Sequence, residues 1–76
     1  MADQAVPLGY MNVHLQRVIA RARVQGVGSV HFVMWCSECG HRYVADGQEV
    51  LGRRCPNHHH AAPALEADSP RVEWLS

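Results

Sequence analysis

Trp35-Cys36-Ser37-Glu38-Cys39-Gly40-His41 is a Cys-x-x-Cys-Gly segment, and Cys55-Pro56-Asn57-His58 is its counterpart, with His59 and His60 directly behind. The chain has 3 cysteines, and all of them lie in these segments. The gap between Cys36 and Cys39 lets one tight turn aim both sulfurs at a single point. Gly40 follows where the backbone must curl its amides toward the thiolates. Cys55 and His58 repeat the gap, and Pro56 fixes one torsion at the start of the second turn. The stretch between Cys39 and Cys55 suits a short hairpin that brings the two turns together.

Thiolates and imidazoles at this spacing are the ligands of a structural zinc ion, which takes four of them in a tetrahedron. The expected set is Cys36, Cys39, Cys55 and His58, holding one Zn2+. His59 is the alternative fourth ligand, because wider gaps occur in zinc sites, and His41 is the third choice. Three thiolates around one dication leave a single negative charge, which Arg42, Arg53 and Arg54 can offset from beside the ligands. An iron–sulfur cluster wants four thiolates. An odd number of cysteines, two of them too close for a useful staple, does not make a disulfide framework. The plain alternative for the cysteines is three buried or incidental residues. For the histidine run, the plain reading is one ligand with two solvated neighbours. The sharp one is a second metal or an open catalytic position.

At 76 residues the chain is one small domain with a marginal core, for which a metal is a common remedy. Structural zinc binding is worth on the order of 10 kcal/mol, comparable to the whole stability of a domain. The zinc-holding part is therefore expected to unfold without metal. Net charge is +0, from 7 basic residues, all arginine, and 7 acidic ones. That balance argues against a strongly electrostatic, non-specific nucleic-acid binder. The distribution is uneven: Arg17, Arg21 and Arg23 oppose only Asp3 early in the chain, and Glu66, Asp68 and Glu73 outnumber Arg71 late in it. No apolar run approaches the roughly 20 residues of a membrane span. No charged-then-apolar segment opens the sequence, and metal-bound thiols fit a reduced cytoplasm or an intracellular or viral assembly.

In chain order, residues 1–9 read as a lead-in. Residues 10–25 read as an amphipathic helix, with Met11, Leu15, Val18, Ile19 and Ala22 on one stripe and His14, Arg17 and Arg21 on the next. Gly26 and Gly28 are its stop. Residues 29–35 are β-branched and aromatic and read as a strand covered on both faces, with His31 a hydrogen-bonded strand residue. Residues 42–45 form a second strand, Asp46-Gly47 a two-residue hairpin turn, and residues 48–54 a third strand with a bulge at Gly52. Residues 61–70 are a linker by composition. Trp74-Leu75 is either a docking peptide or a tail folded back on the sheet. The expected fold class is a small α+β metal-stabilised domain: an N-terminal amphipathic helix plus a zinc-ribbon-like β-hairpin sheet. The expected division is a single zinc-binding domain over 1–60 and a linker and tail over 61–76.

On Cys36, Cys39, Gly40, Cys55, Pro56 and His58, the chain resembles the zinc-ribbon and zinc-finger-like superfamily over residues 33–60. The resemblance implies a bound metal. It leaves function open, since such ribbons serve in transcription factors, ribosomal proteins, enzyme subunits and viral proteins alike. Ribbons most often carry cysteine where this chain offers histidine. A C2H2 finger would place two histidines on a helix after its cysteines. Here a third cysteine and Pro56 occupy that region, so a major-groove reading does not transfer.

Two functions compete. One is a small adaptor that binds a protein partner or larger assembly, or another copy of itself, through Val30, Phe32, Trp35, Trp74 and Leu75. The alternative is a nucleic-acid-binding transcriptional or translational regulator using Arg17, Arg21, Arg23, Arg42, Arg53 and Arg54. Glu38 and His59 are available as bases, but no cleft-building length or catalytic pattern accompanies them, so no enzyme is expected. Nor is a membrane partner expected.

Overall fold

The structure, a computed structural model, describes residues 6–57 and 62–75. Its elements are β1 (Gln16–Val24), β2 (His31–Cys36), β3 (Arg42–Asp46) and β4 (Val72–Trp74). They form one antiparallel sheet in the order β3-β2-β1-β4. The domain is all-β, with no helix among the described residues. The expected helix over 10–25 is therefore corrected to a strand and the turn before it.

The reason lies in β1. Val18, Ala20, Ala22 and Val24 are buried, while Arg21 and Arg23 between them are exposed. That is a period of two, and it places Val24 inside, where a helix would have turned it away. Val18 and Ala22 satisfy both periods, and Ile19 fits only the helical one, which is how the helical pattern arose. Met11 bridges to Arg17 across a tight turn, and Leu15 closes that turn at φ 62 with its side chain exposed. Positive φ is costly for a residue with a branched side chain, so this turn is held by its surroundings.

A bulge at Ile19 then divides the core. Val18 pairs with Met34, but Ala20 pairs with Val33. Neighbouring strand residues point to opposite faces, so the bulge moves the buried side of β1 from one face of the sheet to the other. On the first face Val18, Phe32, Met34, Tyr43, Ala45 and Val50 form a core. On the second, Ala20, Ala22 and Val33 pack with Ala67. β2 is buried on both faces, as expected of its apolar run.

The expected third strand over 48–54 is absent. Successive turns run from Asp46 to Gly52, with the Glu49 amide donating to the Asp46 carbonyl (2.8 Å) and the Gly52 amide to the Glu49 carbonyl (3.2 Å). The bulge placed at Gly52 disappears with that strand. The outer edge of β3 is instead taken by residues inside the expected linker: the Val44 amide donates to the Leu65 carbonyl, and Tyr43 bridges Glu66. The tail folds back, with Ala22 paired to Trp74 and Val24 to Val72. Indole Nε1 of Trp74 donates to the Ala67 carbonyl at 2.8 Å.

Candidate metal centre

β2 ends at Cys36, and the chain turns at once. The Gly40 amide donates to the Cys36 carbonyl (2.7 Å), and the Cys36 amide to the His41 carbonyl (2.9 Å). Gly40 sits at φ 78, while a Cβ there would meet only ordinary contact distances. Backbone conformation, not space, thus calls for glycine at this position. This turn connects β2 to β3, so the Cys-x-x-Cys-Gly segment is itself the hairpin connection. Ser37 straps it to the preceding turn, donating from its amide (3.1 Å) and its Oγ (2.9 Å) to the Leu15 carbonyl.

Cys55 arrives from the segment after Val50. Buried Asn12 holds that segment: its Nδ2 donates to the carbonyls of Val50 (2.8 Å) and Arg53 (3.0 Å). The Asn12 Oδ1 accepts from the amides of His14 and Gln16. One side chain therefore ties the turn before β1 to the irregular segment approaching Cys55.

These two routes bring the sulfurs of Cys36, Cys39 and Cys55 within 4.8 Å of one another. Cys39 and Cys55 are 3.7 Å apart. Cys36 and Cys55 are fully buried, and Cys39 is exposed. The Asn57 amide donates to Cys55 Sγ at 3.3 Å, and its side-chain Nδ2 lies 3.9 Å from Cys39 Sγ. The His41 backbone, followed by hydrogen bonds with Cys55, Cys36 and Asn57, favours the Cys39 thiolate and pulls its pKa from 9.0 down to about 7. Three converging thiols, one already poised to ionise, can hold a metal ion.

His58 and His59, the expected and alternative fourth ligands, lie outside the described residues. His41 stands outside the thiol cluster. Its ring stacks on Tyr43 (5.9 Å between centroids), and its Nε2 is 3.6 Å from a Glu66 carboxylate oxygen. His31 is at the other end of β2, with Nδ1 3.0 Å from the Ser29 carbonyl oxygen.

A buried polar set next to the cysteines was not among the expected residues. Tyr43 donates its hydroxyl to Gln16 Oε1 at 2.6 Å, and Gln16 Nε2 donates to the His14 carbonyl. Burial pushes the Tyr43 phenol well above its ordinary pKa. Gln16 pairs with Cys36 across β1 and β2 and so shares its face. Its signal was its phase: Gln16 is two residues before Val18 in the alternating run. Asn12, two residues before His14, carried only the weak signature of an Asx turn.

The six arginines do not converge. Arg17 and Arg42 both pair with Trp35 and lie on one face of the sheet. Arg21 pairs with Phe32 and lies with Arg23 on the opposite face. Arg23 meets Glu73 at 3.6 Å across two well-exposed side chains. The Arg42 guanidinium sits 5.8 Å from the Trp74 ring centroid. Arg53 is buried over Tyr43 and donates to the Ala62 carbonyl at 2.6 Å, while Arg54 is exposed.

The apolar residues expected to meet a partner also separate. Phe32 is in the core, Trp35 is half-buried beside Gly40, and Val30, Trp74 and Leu75 are exposed. Val30 and Leu75 line one groove together with Val27, Arg21 and Arg23. Comparison of the chain with family models, with curated proteins and with solved structures finds no match.

Proposed function

We propose that this chain is a zinc-stabilised adaptor, in which one Zn2+ holds the fold and the outer surface binds a protein partner. The ligands are Cys36, Cys39, Cys55 and a histidine, His58 by symmetry of spacing or else His59. The observation that carries the metal reading is the convergence of the thiols. Tetrahedral zinc with bonds of about 2.3 Å sets its sulfurs about 3.8 Å apart, and Cys39 and Cys55 stand 3.7 Å apart. The amide of Asn57 directed at Cys55 Sγ is the outer hydrogen bonding that such a centre uses to fix its ligands. The metal's role is structural, since it ties the β2–β3 turn to the segment after Val50.

The adaptor reading is supported by apolar side chains left outside the two cores, Val27, Val30 and Leu75 among them. The division of the arginines between two faces and the interior weighs against a single phosphate-binding surface. The test is a pull-down from lysate with zinc-loaded protein, with and without nuclease. Partner protein retained after nuclease supports the adaptor. Loss of everything after nuclease makes the chain a nucleic-acid-binding regulator and directs attention to Arg21 and Arg23.

A further inference from the structure

The three thiols are not equivalent. Cys39 is exposed on the turn, while Cys36 and Cys55 are fully buried. Cys39 Sγ faces Cys55 Sγ at 3.7 Å, between segments far apart in sequence. We propose that Cys39 is an oxidation site, and that it forms with Cys55 a disulfide that replaces the metal as the link between the two halves of the centre. The metal-release half of this inference rests on the zinc reading. The disulfide half rests on thiol geometry alone.

The co-reactant is a hydroperoxide, and hydrogen peroxide is its simplest form. The Cys39 sulfur attacks the peroxide oxygen, the O–O bond breaks, and Cys39 becomes a sulfenic acid as one water leaves. The Cys55 sulfur then attacks the Cys39 sulfur and displaces the hydroxyl as a second water. The two thiols lose two electrons and their two protons, and the peroxide is reduced to two waters. A metal held by these thiols would lose Cys39 and Cys55 as ligands in the same event, which would favour its release.

Pairing with Cys55 rather than Cys36 follows from the local structure. Cys36 and Cys39 share one turn, closed by the Gly40 amide on the Cys36 carbonyl. Cys36 is also fixed as the last residue of β2, paired with Gln16. Cys39 belongs to the exposed part of that turn. A shift of about 2 Å closes its sulfur on Cys55 to bonding distance. A Cys36–Cys39 bridge would constrain only the turn that holds both. A Cys39–Cys55 bridge joins the same two segments that the metal joins. The oxidised, metal-free chain therefore keeps its sheet, while the reduced, metal-free chain does not.

The experiment uses the full chain, assayed for zinc as purified, then oxidised with stoichiometric hydrogen peroxide. Peptide mapping locates the bridge, bound zinc is measured again, and circular dichroism is recorded with a chelator present. The expected result is a predominant Cys39–Cys55 bridge, loss of bound zinc in step with it, and a β-sheet signal that survives the chelator until dithiothreitol is added. Cys36→Ser keeps the bridge, and Cys39→Ser abolishes it. A predominant Cys36–Cys39 bridge, over-oxidation of Cys39 without a bridge, or loss of the sheet on bridging would overturn the proposal. A chain that carries no zinc as purified, yet forms the Cys39–Cys55 bridge, contradicts the zinc reading and leaves the disulfide standing.

Discussion

At one end of the sheet, the turn after β2 and the segment leading to Cys55 are joined by three thiols and by the Asn12 side chain. At the other end, β4 lies on β1 through three residue pairs and the half-exposed Trp74. The first end relies on directional groups: each ligand and each buried hydrogen bond has one geometry that satisfies it. The second relies on area and on a short backbone ladder, both tolerant of substitution. The comparison teaches that the directional constraints in this small domain are concentrated around its cysteines and the Asn12 amide.

Replacing Cys55 should cut deepest. Under the zinc reading, Cys55→Ser removes a buried ligand, and with it a binding term on the order of 10 kcal/mol. We expect the sheet signal to be lost in circular dichroism at neutral pH, with chelation of the parent protein giving the same spectrum. Asn12→Ala comes next. It strands the carbonyls of Val50 and Arg53 and the amides of His14 and Gln16. A loss of about 3 kcal/mol is expected in urea unfolding of the zinc-loaded chain, from buried groups left without partners. A loss below about 1 kcal/mol would show that water replaces the amide at small cost, and the cysteine end would then depend on metal alone.

At the far end the effects shrink. Trp74→Ala removes a hydrogen bond to Ala67 and the contact under Arg42. About 1–2 kcal/mol is expected, with zinc affinity unchanged by chelator competition. A fall in zinc affinity would mean that the two ends are coupled through β1 and β2, and the contrast between them would fail. Arg23→Ala breaks only the exposed pair with Glu73 and should change stability by less than about 0.5 kcal/mol.

The same contrast governs what could be read from sequence. Ligand chemistry demands fixed spacing, so Cys36, Cys39, Gly40 and Cys55 were legible as a converging set. β2 was legible too, because Phe32, Val33 and Met34 suit burial on both faces of a sheet. β1 was not. Val18 and Ala22 fit a helical stripe as well as a strand, and Ala20 and Ala22 are strong helix formers. The pairing with β2 decided the matter, and a lone segment cannot display it. The Asp46-Gly47 pair signalled a hairpin, but the edge of β3 was claimed by Leu65 and Glu66, far along the chain. Asn12 stayed hidden because its role consists of contacts with Val50 and Arg53, which no local pattern reveals. The placement of His58 and His59 lies outside the described residues.

The central claim is that Cys36, Cys39 and Cys55 hold a single metal ion. Titration of the reduced, metal-free chain with Co2+ tests it most directly, because thiolate ligation gives a charge-transfer absorbance that other ligands do not. Saturation at one ion per chain, displacement by Zn2+, and a weaker thiolate band with lower Co2+ affinity in Cys36→Ser are the expected results. A chain that shows no thiolate band with Co2+, and a Cys36→Ser variant that folds as stably as the parent, would contradict it.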